Sequence, residues 1–143
     1  MDPMFIQNIT DASAAGLLVG AYHYLDESVT NPAQARVAAG KFYTAIMAGC
    51  GVDLPPVLDY EHKSDSVSPA GASAIALAFL QEIECLTGKR PTLYTIRHSS
   101  AISVTCSSIR FGSHAAGYAA DRRQVLCAGT SAGQSIWRHA DMG

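Results

Sequence analysis

The sequence predicts an α/β fold with a mostly parallel sheet. Three observations carry this. Helix-start signals recur at Asp2-Pro3, Asn31-Pro32 and Ser68-Pro69; an apolar stripe at helical spacing follows each; and each stripe runs into a short apolar segment bounded by Gly and Pro. Alternation of helix and strand is the pattern of βα units, in which the crossover helix returns the chain to the same end of the sheet and makes the strands parallel. The chain has 143 residues, 48% of them hydrophobic and 15% charged. That length suits a single domain over residues 1–143, and a composition this apolar argues against intrinsic disorder.

Each helix is justified by its ends. Asp, Asn or Ser before Pro supplies a side-chain acceptor for an orphan N–H, and Pro at the first helical position loses nothing by lacking its own. The first stripe is Phe5, Ile9 and Ala12, stopped by Gly16. The second is Ala35, Ala38, Phe42 and Ile46, stopped near Gly49 and Gly51. The third is Ala72, Ile75, Phe79, Ile83 and Leu86, stopped by Gly88 with Pro91 beyond. Residues 17–25, 56–61 and 91–96, rich in Val, Leu and Tyr, read as buried strands. In the last third, residues 98–109 read as a short helix, residues 114–120 and 134–139 as short strands, and residues 122–133 as a loop, from the turn chemistry of Gly129, Thr130, Ser131 and Gly133.

Charge and cysteine usage exclude several function classes. Ten Lys plus Arg against twelve Asp plus Glu give a net charge of -2, with no basic run, which argues against nucleic-acid binding by phosphate neutralisation. No apolar stretch reaches the roughly 18 residues of a membrane span, and residues 1–11 lack the basic and apolar regions of a signal peptide. Cys50, Cys85, Cys106 and Cys127 show no CxxC or zinc-ligand spacing and read as small buried hydrophobes. A Cys106–Cys127 disulfide stays open as an option outside the cell. There is no GxGxxG, Walker or GxSxG pattern, so neither nucleotide binding nor a hydrolase serine is supported.

The sharpest chemical feature is Asp59-Tyr60-Glu61, directly after an apolar run. On a strand, residues two apart share a face and lie about 6.6 Å apart along the chain. Both carboxylates then project from the C-terminal end of a parallel strand, where α/β folds of this class build their sites. Like charges held close raise the proton affinity of one member, as does partial burial. A protonated Glu61 beside an ionised Asp59 is the pairing that glycosidic cleavage needs. Tyr22 and Tyr24 share a strand face, and with Tyr94 and Trp137 they are candidates to stack on sugar rings, set against ordinary core or rim packing. His23 falls on the opposite strand face and reads as packing against a helix.

Three blocks carry a family resemblance: Ala15-Gly16-Leu17-Leu18-Val19-Gly20-Ala21-Tyr22-His23-Tyr24, Pro56-Val57-Leu58-Asp59-Tyr60-Glu61, and Thr87-Gly88-Lys89-Arg90-Pro91-Thr92-Leu93-Tyr94-Thr95, with Ile136-Trp137-Arg138-His139 as a weaker fourth. In content, order and spacing the chain resembles the muramidase-type lysozymes of glycoside hydrolase family 25. The resemblance implies a partial or irregular, TIM-like (β/α) barrel. It implies hydrolysis of the β-1,4 bond between N-acetylmuramic acid and N-acetylglucosamine in peptidoglycan, without metal or organic cofactor. It implies an extracellular or wall-directed protein, and Glu61 as the general acid/base with Asp59 supporting the positive sugar or its acetamido group. Nothing in residues 1–14 matches the family's opening Asp-bearing strand, and the chain stops soon after Trp137. The expectation is therefore a barrel incomplete at both ends, with self-association through exposed sheet edges or low stability as the result. Two alternatives follow: a glycan-binding remnant without catalysis, or a structural module of the same fold.

Overall fold

The computed structural model describes residues 2–95 and the backbone of a strand at Val125–Gly129. The elements run α1 (Phe5–Ala14), β1 (Leu18–Tyr24), α2 (Pro32–Ala48), β2 (Val57–Asp59), α3 (Pro69–Thr87), β3 (Thr92–Tyr94) and β4 (Val125–Gly129). They form one parallel sheet in the order β3-β2-β1-β4. The expected helix at residues 98–109 and strands at 114–120 and 134–139 lie outside the described residues, as do Cys106 and Trp137.

Two of the three expected caps form as read. Asn31 Oδ1 accepts from the Gln34 N–H at 3.0 Å, and Ser68 Oγ from the Gly71 N–H at 3.1 Å. The first corrects the sequence reading: α1 begins at Phe5 with Met4 as its N-cap, while Asp2 Oδ1 accepts from the Met4 N–H at 2.8 Å and closes a turn ahead of the helix. Asp2 is itself buried, at 7% exposure. Gly16 and Gly88 take positive φ of 76° and 66° just past α1 and α3, conformations that would strain a side chain. Gly49, at the end of α2, is needed for a different reason. A Cβ there would sit 3.0 Å from Ile9 Cγ2, so its lack of a side chain lets α2 close on α1.

The core lies on one face of the sheet. His23, Leu58 and Leu93 are register partners across β1, β2 and β3. His23 stacks on Phe79 of α3, with ring centroids 5.3 Å apart, and lies against Phe42 of α2 at 5.5 Å. Leu58 is fully buried and Leu93 packs on the same cluster. Phe5 and Ile9 of α1 join it, so the three described helices cover this face together. Burying a large apolar side chain contributes roughly 1.5–3 kcal/mol, against about 1 kcal/mol for a cap, so packing rather than end chemistry holds the helices here.

Three further readings are corrected. Residues 122–133 hold β4 rather than a loop, because the edge of β1 supplies a ladder for Val125–Gly129 that local turn chemistry does not reveal. The β1 edge that an incomplete sheet would leave bare is thereby paired. Cys50 and Cys85 are exposed, not buried. Finally, α3 is 19 residues long and apolar enough to cross a membrane by length and composition. Its Ala72, Ile75, Ala76, Phe79 and Ile83 nevertheless lie in the core, the usual source of that signal in a packed domain.

His23 provides a test of this packing. Burial between two Phe rings drives its imidazole down from 6.5 to about 4, partly offset by nearby Asp26. The unfolded chain therefore binds more protons between these values, and stability falls as pH drops through the window. His23→Phe should keep the stack and remove that slope. In urea titrations the stability gap between variant and wild type should widen in the variant's favour, by up to about 3 kcal/mol, as pH falls from about 7 to about 4. Parallel profiles would show that His23 is not held neutral by the core.

Candidate active site

The face opposite the helices carries the chemistry. Leu58 and Tyr60, both fully buried, point into the core, so strand alternation turns Asp59 and Glu61 to the other face. Alternation persists beyond the end of β2 because the Tyr60 N–H donates to the Tyr94 carbonyl at 3.0 Å. The Leu25 N–H donates to the Asp59 carbonyl at 2.8 Å and ties β1 to the same point. Asp59 and Glu61 are both half-buried at the C-terminal end of the sheet.

Register places two of the candidate tyrosines beside them. Tyr24 pairs with Asp59, and Asp59 with Tyr94, so Tyr24–Asp59–Tyr94 form one row across three strands. Neighbouring strands lie about 4.8 Å apart, which sets Asp59 between Tyr24 and Tyr94 in that row. Tyr94 is 50% exposed and Tyr24 is half-buried. Tyr22 lies one row further down the same face, opposite Val57 and Gly129. His23 is turned away into the core, as expected, and His62 is exposed.

Asp59 is the perturbed group. Burial, reinforced by the charge of Glu61, pushes its carboxyl up from 3.8 to about 6. Its Oδ1 is buried without a hydrogen-bond partner among the described residues. The sequence reading placed the held proton on Glu61; the carboxyl whose ionisation the structure disfavours is that of Asp59. The physical reason is position: Asp59 belongs to the ladder, where packing strips water from its carboxyl. Burial and the charges of Glu61, Asp59, Glu27 and Asp26 push the Tyr24 phenol above its usual range. Sequence reasoning missed Asp26 and Glu27 as neighbours of the site. Their signal was available, since they follow the end of β1 as Glu61 follows the end of β2. The Asp26 carboxyl is held low by hydrogen bonds from Ser28, whose N–H donates to Oδ1 at 2.7 Å.

Such an arrangement can present a polar ligand with two carboxyls and the rings of Tyr24 and Tyr94, and burial holds the Asp59 carboxyl well above the usual carboxylate range. Residues 1–143 match the family described as glycosyl hydrolases family 25. The chain belongs to that family. Its relatives include the uncharacterized protein YegX of Escherichia coli O157:H7, 36% identical over 95 residues, which are 66% of this chain and 33% of YegX. YegX of Escherichia coli strain K12 is 35% identical with the same coverage. Among solved structures, the Clostridium perfringens spore cortex lytic enzyme SleM superposes with a TM-score of 0.61 at 26% identity, covering 66% of this chain and 32% of SleM. The matched part thus spans about a third of the length of these proteins.

In this family 25 chain the raised Asp59 carboxyl has a consequence for stability. The folded state binds the proton more tightly than the unfolded chain, so the benefit is present below about 4 and lost as pH rises through about 6. This slope opposes that of His23 across nearly the same window, and only single variants separate the two. Asp59→Asn should raise the melting temperature by a few degrees at about pH 7.5 and by little at about pH 4. An equal gain at both values would mean that the ionised carboxylate carries no burial cost.

Proposed function

We propose that this chain acts as a peptidoglycan hydrolase, cleaving the β-1,4 bond between N-acetylmuramic acid and N-acetylglucosamine. The observation that carries this reading is the Asp59–Glu61 pair at the C-terminal end of a parallel strand, on the sheet face that the described helices leave open, within a family 25 chain. In-order progression from β1 to β3 with α2 and α3 on a single face is what the wall of a (β/α) barrel requires, and we take the sheet to be part of such a barrel. The lytic activity named for SleM supports the same reaction class and points to a wall-directed, extracellular setting.

The chemistry follows from the two positions. As Asp59 ionises toward the developing charge, the proton that the pair holds passes to Glu61, which donates it to the glycosidic oxygen as the bond from the anomeric carbon to that oxygen breaks, and the freed sugar hydroxyl leaves. Positive charge then develops on the ring. Asp59 is costly to ionise in the empty site, and the cation removes that cost, so its carboxylate is stabilised more in the transition state than in the ground state. It serves either by direct stabilisation of the ring or by holding the 2-acetamido group as an internal nucleophile. Water then attacks the anomeric carbon and gives its proton to Glu61, which restores the acid. The exposed Tyr94 ring offers a stacking surface, and Tyr22, Tyr24 and Trp137 complete the proposed groove.

Clearing of purified cell-wall suspensions, with release of reducing ends, tests the assignment. Wild type should clear them, with an acid limb near pH 6 as Asp59 ionises, and Glu61→Gln should lose at least ~10²-fold in rate. Equal clearing by both proteins would remove Glu61 from the mechanism. Wall binding by wild type with no reducing ends released would make the chain a glycan-binding module instead.

A further inference from the structure

We infer that Tyr60 and Thr95 together bind one buried water molecule on the helix side of the sheet, which ties the ends of β2 and β3 together behind the carboxyl pair. The Tyr60 N–H donates to the Tyr94 carbonyl, which in a parallel ladder makes Tyr60 and Thr95 partners one row past the last residues of β2 and β3. Leu93 packs on the core, so strand alternation sends Thr95 to that same side, where Tyr60 is fully buried. Tyr60 Oη and Thr95 Oγ1 are both buried, and neither has a hydrogen-bond partner among the described residues, so they do not bond to each other. Burial pushes the Tyr60 phenol above its usual range, so it keeps its proton at any working pH. On the other side of Tyr60 lies Leu25, placed there by its N–H bond to the Asp59 carbonyl; it is apolar and fully buried, so a polar partner for the phenol comes from the β3 side. Backbones of neighbouring strands lie about 4.8 Å apart, and two O–H···O bonds of about 2.8 Å each span up to about 5.6 Å. One water therefore reaches both oxygens. A hydroxyl is donor and acceptor at once, and so is water, which matches the pair as buried waters commonly match otherwise unpaired groups.

The sign of a mutational effect separates this site from two orphaned hydroxyls. A buried hydroxyl without a partner costs stability, so its removal helps; one bonded to a shared water contributes, so its removal hurts and leaves the other hydroxyl worse off. Tyr60→Phe and Thr95→Val delete one hydroxyl each and keep the shape of the side chain. In thermal melts of the full chain, each single variant should lower the melting temperature by roughly 3–5 °C. The double variant should fall by about as much as either single one, because the water leaves once its first partner is gone. A high-resolution crystal structure of the wild type should show one water within about 3.2 Å of both oxygens. A rise or no change in either single variant would overturn the inference, since the hydroxyls would then be unpaired. Additive losses in the double variant would overturn it too, since each hydroxyl would then have a partner of its own. So would electron density in which the two oxygens bond directly to each other.

Discussion

Burial of Leu58 and Tyr60 against the helices is the constraint on which the site depends. A strand has a side-chain period of two, so fixing these two residues inward leaves Asp59 and Glu61 only one direction to point. A slip of one residue would place two carboxylates in an apolar core and two large apolar groups in solvent. Each misplaced carboxylate would cost several kcal/mol, far more than a backbone hydrogen bond returns. The register of β2 between β1 and β3 is therefore set by side-chain burial rather than by the ladder. The row Tyr24–Asp59–Tyr94 is a consequence of that register.

The helix face and the site face make opposite demands on ionisable groups. On the helix side, His23 sits between Phe42 and Phe79 and is held neutral by burial. On the site side, burial disfavours the ionised form of Asp59, and the nearby Glu61 adds to the effect. Both groups cost the fold stability in one protonation state, but for His23 that state is the acidic one and for Asp59 the basic one. Stability is consequently drawn from elsewhere, from the Phe5, Phe42, Phe79 and Ile83 core and from the close approach of α1 and α2 at Gly49. A buried acceptor left unpaired at a strand end is tolerable on such a scaffold. It is the kind of local cost that functional sites carry.

The opposite end of the sheet is held differently. Lys89 Nζ donates to the carbonyls of Val52 and Asp53, each at 2.7 Å, and Asp53 Oδ2 accepts from the Val19 N–H at 2.9 Å. These bonds satisfy backbone groups where the chain turns from α2 into β2, after Cys50 and Gly51 at positive φ. Polar groups at this end are paired with one another and with backbone. At the C-terminal end Asp59 is not. That asymmetry separates structural polar groups from those available to a ligand.

The sequence by itself determined the order of elements, two of the three caps, the apolar stripes and the shared face of Asp59 and Glu61, because these depend on contacts within a few residues. It also carried the family resemblance, since the three blocks fall on β1, β2 and β3 with their flanks. Tertiary structure alone decided how far the Asp59 carboxyl is raised, because desolvation, its largest cause, depends on what packs around the group. It also decided that Val125–Gly129 is a strand, since an edge to pair with exists only once β1 is in place. The turn at Asp2, the exposure of Cys50 and Cys85, and the register that sets Tyr24 beside Asp59 were out of reach for the same reason. Each is fixed by a partner distant in sequence, and no local propensity encodes a distance between strands.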